Sequence, residues 1–270
     1  MKIQGDKLFA FDPTIYRINF YSVTSLAFDH VEGLFFQDWS DFKNIKEANP
    51  MKFYEWGDHN MLIGFDQIWG NKIYYYVVRN KNYRTHIISK PLLIQKDNKQ
   101  TWLDVGKSGL RKIPFGRKSL IAVNGNRHIF TAWTDLFLIK EYDPQGTYLR
   151  AWYYPYDKPP LTQAAIDSLA NPREEADIQR ALSEYEAPPS WPALKDMKID
   201  DQGRLWVSTI VRDHSVYEWW ILTRDGKLQA RFRWPQNSQI EIIKNGCIYA
   251  VEMNQKTEVK RVIRYKINMS

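Results

Sequence analysis

Short polar turns followed by apolar strands recur along this chain of 270 residues. In each turn Gly, Asn or Asp stands beside other polar residues, and these three residue types accept the positive φ that tight hairpins need. Each strand is followed, after a short polar loop, by another strand, and we take these two as the second and third strands of a module. Five segments have this pattern: 5–11, 70–76, 124–131, 201–207 and 245–250. The pattern predicts an all-β protein built from hairpins.

Two of these segments extend to four strands. Each is preceded by an apolar stretch, at 119–123 and 194–199, and is followed by a further turn and a further strand. The further turns are 143–146 and 224–227, and the strands after them are 148–153 and 228–233. Four antiparallel strands in a repeated module are typical of a β-propeller blade.

The spacing of the modules decides how many blades we expect. The first interval has room for one more module, around 33–37 and 51–56, which with the five segments above makes six. We therefore predict a six-bladed β-propeller that forms a single domain over 1–270, and all-β folds of this length commonly form one domain. A β-sandwich or a solenoid is the alternative.

One segment departs from the strand pattern. Pro159-Pro160 and Pro188-Pro189 bracket it, and Asn171-Pro172 has the sequence of an N-cap followed by proline at the first helical position. We predict a helical insert at about 160–187, within an insertion at 159–190 between two blades. It joins the outer strand of one blade to the inner strand of the next, so it should share a face with the loops between second and third strands. It is either a packing cap or a lid that docks a partner.

Composition and charge limit the possible classes. The formal net charge is +7, but the basic residues are dispersed and no block of five or more occurs, so nucleic-acid binding is not expected. No run of 18 apolar residues could cross a membrane. The first seven residues lack the apolar core of a secretory signal, so the chain is cytoplasmic as written unless its true start lies upstream. Cys247 is the only cysteine, which excludes an internal disulfide and a multi-cysteine zinc site.

The C-terminal half carries a family resemblance. It depends on five motifs, at 159–162, 191–193, 200–207, 225–227 and 261–265. With these motifs the chain resembles the bacterial six-bladed β-propeller proteins related to NHL-repeat proteins. The resemblance implies a fold and a location in the periplasm or cell envelope if the N-terminus is truncated, and it transfers no catalytic residues. The chain departs from that family at its end, where 259–267 reads as a third strand with no fourth, so we expect an incomplete last blade.

Candidate ligand-binding residues come from the loops between second and third strands, because propellers commonly bind ligands at the mouth of the channel. They are Asp12, Asn80, Asp135, Arg212, Asp213, His214 and Asn254. No nucleophile elbow, zinc-protease helix, phosphate loop or dinucleotide fingerprint is present, and no catalytic residue is predicted. Trp219 and Trp220 are adjacent on a strand, so they should point to opposite sheet faces and be buried between blades.

These observations favour a non-enzymatic scaffold that binds a protein, peptide or glycan on the channel-mouth face. We expect a monomer and predict no cofactor. The alternative is a metal-dependent hydrolase or lyase of the lactonase or NHL-lyase type, which would admit Ca²⁺. That alternative needs Asp12, Asp135, Asp213 and Asn254 to converge.

Overall fold

A computed structural model describes most of the chain. The described residues are 2–4, 7–12, 17–22, 25, 27–33, 48–57, 60–67, 72–81, 84–96, 101–106, 109–168, 175–253 and 259–267. The chain divides into two compact units, Met1–Lys96 and Asp97–Ser270. Within the described ranges the secondary structure is almost entirely antiparallel β-sheet, as the hairpin pattern predicts.

The first unit contains two sheets in which strands follow the order of the chain. One consists of β1 (Lys2–Gln4), β2 (Lys7–Asp12), β3 (Arg17–Ser22) and β4 (Phe28–Gly33). The other consists of β5 (Ala48–Glu55), β6 (Asn60–Gln67), β7 (Lys72–Lys81), β8 (Arg84–Ile87) and β9 (Leu93–Lys96). Both β8 and β9 pair with β7, β8 along its C-terminal half and β9 along its N-terminal half. The fourth strand position of this sheet is therefore divided in two.

The second unit contains four sheets and two helices. Its strands are β10 (Trp102–Asp104), β11 (Leu110–Lys112), β12 (Ser119–Val123), β13 (Ile129–Trp133), β14 (Leu138–Tyr142), β15 (Tyr148–Tyr153), β16 (Leu194–Ile199), β17 (Leu205–Ile210), β18 (Val216–Leu222), β19 (Leu228–Pro235), β20 (Ser238–Lys244), β21 (Cys247–Met253) and β22 (Lys260–Lys266). Its helices are α1 (Gln163–Asp167) and α2 (Glu175–Glu184), between β15 and β16. The sheets are β10–β11, β12–β15, β16–β19 and β20–β22, each in chain order.

The sheet of β16–β19 is buried on both faces, as a propeller blade is. Every residue of β17 is buried, and successive residues enter two different cores. Val207 and Trp220 belong to a core shared with the sheet of β12–β15, whereas Trp206 and Trp219 belong to a core shared with the sheet of β20–β22. The first strands β12, β16 and β20 are neighbours in that order. The opposite orientation predicted for Trp219 and Trp220 is confirmed.

The all-β propeller architecture is thus supported, but the number of blades differs from the prediction. Among the described residues four sheets have four strand positions, whereas β10–β11 has two strands and β20–β22 has three. The segment 70–76 was the source of one error: it was assigned to the second strand of a blade, but β7 is the third strand of its sheet. The module expected around 33–37 and 51–56 lies partly outside the described residues, and the rest of it belongs to β5 and the residue after it.

One turn geometry closes four hairpins of the second unit. The side chain at the first turn position accepts one or two backbone N–H groups from further along the turn, at 2.8–3.0 Å where the first residue is Asn124, Asp143, Asp200 or Thr223. The fourth position has positive φ, and it is glycine in three of the four turns. The exception is Arg127, which has a φ of 64°.

The helices cover the β10–β11 hairpin. Ile166 of α1 and Ile178 and Leu182 of α2 share a core with Leu103 and Phe115. Thr162 caps α1, its hydroxyl accepting the N–H of Ala165 at 3.3 Å. The cap expected for α2 at Asn171-Pro172 lies outside the described residues. The insert therefore packs against the sheet of β10 and β11, which has only these two strands among the described residues.

Candidate functional site

The loops between second and third strands meet the helical insert at one end of the second unit. Asp135 lies in the β13–β14 loop, and its Oδ1 accepts hydrogen bonds from Arg117 Nε at 3.1 Å and from Lys158 Nζ at 2.8 Å. Arg117 also donates through Nη2 to the carbonyl of Ser190 at 3.0 Å. Lys158 and Ser190 stand at the two ends of the insert, so Asp135 and Arg117 hold both ends of it to the sheet of β12–β15.

The charge state of Asp135 follows from these contacts. Burial by itself would raise the pKa of its carboxyl, but the hydrogen bonds from Lys158 and Arg117 outweigh that effect and the pKa lies below its usual value. The carboxylate is thus ionised at neutral pH and neutralised by two cations. Its role in the described residues is to fasten the insert.

Three predicted residues lie together in the β17–β18 loop. Asp213 accepts the N–H and the hydroxyl of Ser215 at 3.0 and 2.6 Å, which closes the turn. Arg212 is exposed and lies 3.7 Å from the carboxylate of Asp157. The imidazole of His214 lies against the indole of Trp191, with ring centroids 4.6 Å apart. Of the three, His214 faces a cavity.

The other three predicted residues lie in the first unit or outside the described residues. Asp12 ends β2 and Asn80 lies in β7, both in the first unit, and their side chains are outside what is described. Asn80 precedes the turn between third and fourth strands, at the opposite end of its sheet from the β6–β7 loop. Asn254 lies outside the described residues.

The cavity beside His214 is a cleft of about 320 Å³ between α1 and the sheet of β16–β19. Ala165 and Ser168 of the α1 region form one wall. The residues on the other sides are Trp191, Lys195, Ile210, His214, Tyr217 and Gln236. Aromatic side chains and convergent polar groups in a concave space are the features of a small-ligand site.

Lys195 is placed in the cleft by an irregularity of the inner strand. The register of β16 against β17 shifts between Leu194 and Asp196, so Lys195 is the extra residue of a β-bulge. Bulges commonly turn a side chain away from the ladder beside functional sites. The ammonium nitrogen of Lys195 lies 5.6 Å from the ring centroid of Tyr217.

Burial controls the protonation of both groups. It lowers the pKa of the Lys195 amine, an effect that the nearby carboxylate of Asp196 partly opposes. Asp196 is itself paired with Lys198 at 3.0 Å. Burial raises the pKa of the Tyr217 phenol to about 12, so the phenol stays protonated at neutral pH.

One donor in the wall of the cleft is unsatisfied. The indole nitrogen of Trp191 is buried and has no hydrogen-bond acceptor among the described residues. A buried N–H without an acceptor costs about 1–3 kcal/mol. Because this nitrogen has almost no accessible surface, the carbon atoms of the ring, and not its N–H group, line the cleft.

Sequence reasoning identified His214 but missed Lys195, Tyr217 and Gln236. Trp191 was noted only as part of a motif. The bulge at Lys195 cannot be recognised in the hydrophobic pattern, because the alternation of apolar and polar residues in β16 resumes after one residue. A lysine directly following the apolar start of an inner strand was the one available signal.

The described residues contain no group of three or more His, Cys, Asp or Glu that could hold a metal ion. Asp135 and Asp213, needed by the metal-dependent alternative, are engaged with cations and with a turn, respectively. Within the described ranges, no helix has both the length and the apolar character required to cross a membrane.

Comparison with known proteins gives structural similarity alone. No protein-family model and no curated protein matches the chain. Among solved structures, virginiamycin B lyase from Staphylococcus aureus has a TM-score of 0.45 and 11% identity, over 100% of this chain and 84% of that one. Hsv2 from Kluyvelomyces marxianus has a TM-score of 0.39 and 10% identity, over 100% and 85%. A luciferin-regenerating enzyme has a TM-score of 0.41 and 11% identity, over 93% and 71%.

These three proteins are β-propellers. At such low identity no activity or residue is transferred from them. The assignment of the chain to all-β propeller architecture rests on its own sheets.

Proposed function

We propose that this protein is a non-enzymatic binding scaffold whose ligand site is the cleft between α1 and the sheet of β16–β19. The ligand is the end of a peptide or glycan chain that offers hydrogen-bond acceptors. The observation that carries the proposal is the aromatic wall of Trp191, His214 and Tyr217 beside the amine of Lys195.

The chemistry of the cleft supports this ligand class. Trp191, His214 and Tyr217 provide flat faces on which a sugar ring or a planar peptide group can stack. The ammonium group of Lys195 is a donor, so it favours carbonyl, carboxylate or hydroxyl oxygens. Gln236 can both donate and accept, which adds orientation.

The volume of the cleft supports a small occupant. Its volume of about 320 Å³ is at the lower end of the range for ligand sites, roughly 300–1,000 Å³. A terminal residue of a peptide or one sugar unit fits such a space. The remainder of a longer ligand would run over the exposed β17–β18 loop, where Arg212 is available to an acidic group.

The test is ligand-observed NMR on the full chain, with N-acetylated dipeptides, hexoses and uronic acids as probes. We expect at least one probe class to bind and the Trp191→Phe variant to bind it about two-fold to ten-fold more weakly, because the smaller ring offers less stacking surface. Trp102→Phe is the matched control, since Trp102 is an exposed tryptophan outside the cleft. Equal affinity in wild type and Trp191→Phe would contradict the proposal, as would a failure of every probe class to bind.

A further inference from the structure

A second chemical possibility exists in the same cleft. We infer that Lys195 is a nucleophilic amine that condenses reversibly with the aldehyde or ketone group of a ligand. The inference takes the location of the site from the proposed function and adds covalent chemistry to it. It narrows the class of ligand to compounds that bear a free carbonyl group.

The position of Lys195 is the first argument. As the extra residue of the bulge in β16, its side chain leaves the strand ladder and enters the wall of the cleft. A ligand in the cleft therefore meets the amine directly. A lysine on the solvent-exposed face of a strand would not be confined beside a bound ligand in this way.

The surroundings of the amine are the second argument. From β16 itself the nearby charged group is Asp196, which is paired with Lys198. From β18 and the loop before it the facing groups are Tyr217 and His214, and neither is a carboxylate. Among the described residues, no carboxylate is in direct contact with the amine to hold it as a cation.

Desolvation is the third argument. Burial lowers the pKa of Lys195, so a larger fraction of the amine is neutral at neutral pH than for an exposed lysine. The neutral amine is the nucleophile, and lysines in apolar pockets are activated for Schiff-base formation by this effect.

The reaction is balanced without an oxidant or reductant. The nitrogen lone pair of Lys195 forms a bond to the carbonyl carbon as the C=O π bond breaks, and one N–H proton passes to the resulting oxygen. The protonated phenol of Tyr217 can then give a proton to this hydroxyl, which leaves as water while the C=N bond forms, and the second N–H proton returns to the phenolate.

The experiment is competitive reductive labelling of the full chain. Limiting formaldehyde is added with dimethylamine-borane, which reduces the C=N bond, and methylation of each lysine is quantified by peptide mass spectrometry. The internal control is Lys227, a lysine whose side chain is 82% exposed. At neutral pH we expect Lys195 to be labelled about three-fold or more faster than Lys227, and we expect the advantage to vanish near pH 10.5, where ordinary lysines also lose their protons.

Two further measurements make the outcome specific. Glyceraldehyde, a larger aldehyde, should label Lys195 at neutral pH, and any non-covalent probe found to bind the cleft should protect Lys195 but not Lys227. Tyr217→Phe, which keeps the ring and removes the hydroxyl, should slow the glyceraldehyde reaction at Lys195 while leaving the labelling of Lys227 unchanged.

The inference and the proposed function can fail separately. If Lys195 is labelled no faster than Lys227 at neutral pH, the covalent inference is wrong, even where peptides or sugars bind and protect it. Binding with slow labelling would mean that Lys195 acts only as a cation for an anionic ligand. If no probe binds but Lys195 reacts quickly, the proposed function fails and the inference about the amine stands.

Discussion

The side chain of Asp200 accepts four hydrogen bonds in the second unit. It lies in the turn between β16 and β17, and its side chain is 0% exposed. Its Oδ1 accepts the backbone N–H groups of Gln202 and Arg204 at 3.0 and 2.9 Å. Its Oδ2 accepts Arg204 Nε at 2.6 Å and the indole N–H of Trp206 at 2.8 Å. One carboxylate thus joins the turn to the core residue Trp206.

The informative substitution is Asp200→Asn. The amide oxygen can keep the two backbone hydrogen bonds, but the NH₂ group then faces two donors, Arg204 and Trp206. The variant loses a buried ion pair and removes the Asp200 acceptor from both donors. Removal of one partner of a buried pair destabilises by about 3–5 kcal/mol, and because Arg204 retains some solvent contact we expect about 3 kcal/mol.

The assay is urea unfolding of both proteins, followed by tryptophan fluorescence and by circular dichroism. Asp143→Asn is the matched control. Asp143 starts the equivalent turn before β15 and accepts Gln145 N and Thr147 N through the same oxygen, at 2.9 and 2.8 Å. Asn124 already performs this task in another turn, so the control should change the free energy of unfolding by less than about 0.5 kcal/mol.

A loss below about 1 kcal/mol for Asp200→Asn would refute the reasoning, because it would mean that Oδ2 contributes little beyond the turn. An equal loss for Asp143→Asn would also refute it, since the effect would then belong to the turn and not to the buried donors.

Three further predictions concern the turns and the insert. Arg127→Gly should stabilise the protein by about 0.5–1 kcal/mol, measured by urea unfolding, because the non-glycine residue has a φ of 64°. Gly226→Ala should destabilise by about 2–4 kcal/mol in the same assay, since the new Cβ would overlap the indole of Trp152 at a φ of +82°, whereas Gly125→Ala, with open space around it, should be nearly neutral. Asp135→Asn should flatten the acid side of the stability–pH curve: the folded-state pKa of Asp135 is lowered, so its stabilisation is present above about pH 4 and is lost as the pH falls through the folded value.

Each of these has a clear contrary result. A destabilising Arg127→Gly would show that the arginine side chain compensates for its backbone. A Gly226→Ala variant as stable as Gly125→Ala would show that Trp152 moves freely. Parallel acid unfolding curves for wild type and Asp135→Asn would show that the ion pairs with Lys158 and Arg117 contribute no stability.

The sequence was informative where local chemistry decides the structure. The Asp-x-x-Gly turns at 143–146 and 200–203 fix the positions of β14 to β17, since side-chain acceptors and positive φ leave few alternatives. The adjacent Trp219 and Trp220 could be assigned to opposite cores because strand periodicity is strict. These features need no information from distant parts of the chain.

The errors arose where the same local pattern fits several positions. A polar turn followed by an apolar strand marks any hairpin, so 70–76 could be taken for a second strand although β7 is the third. The fourth strand of that sheet is divided into β8 and β9, which weakens its pattern.

The cleft could not be predicted because it depends on the bulge in β16 and on the position of α1 beside the sheet of β16–β19, and the local sequence pattern shows neither. Only His214 was found, because it lies in a loop whose position follows from the strand order.

The pairing of strands in the second unit has a consequence for how the chain can lengthen. Every ladder among its described strands joins two segments that are consecutive in the chain, so no sheet borrows a strand from another. Among the described residues the links form no strand ladder with a sheet; in the link between β15 and β16 a single bridge joins Pro160 to Ser190, and residues added between those two positions leave the pairing of the sheets intact. The helices between β15 and β16 occupy such a link, which means that this protein could acquire a new wall for its cleft without any change in the blades beside it.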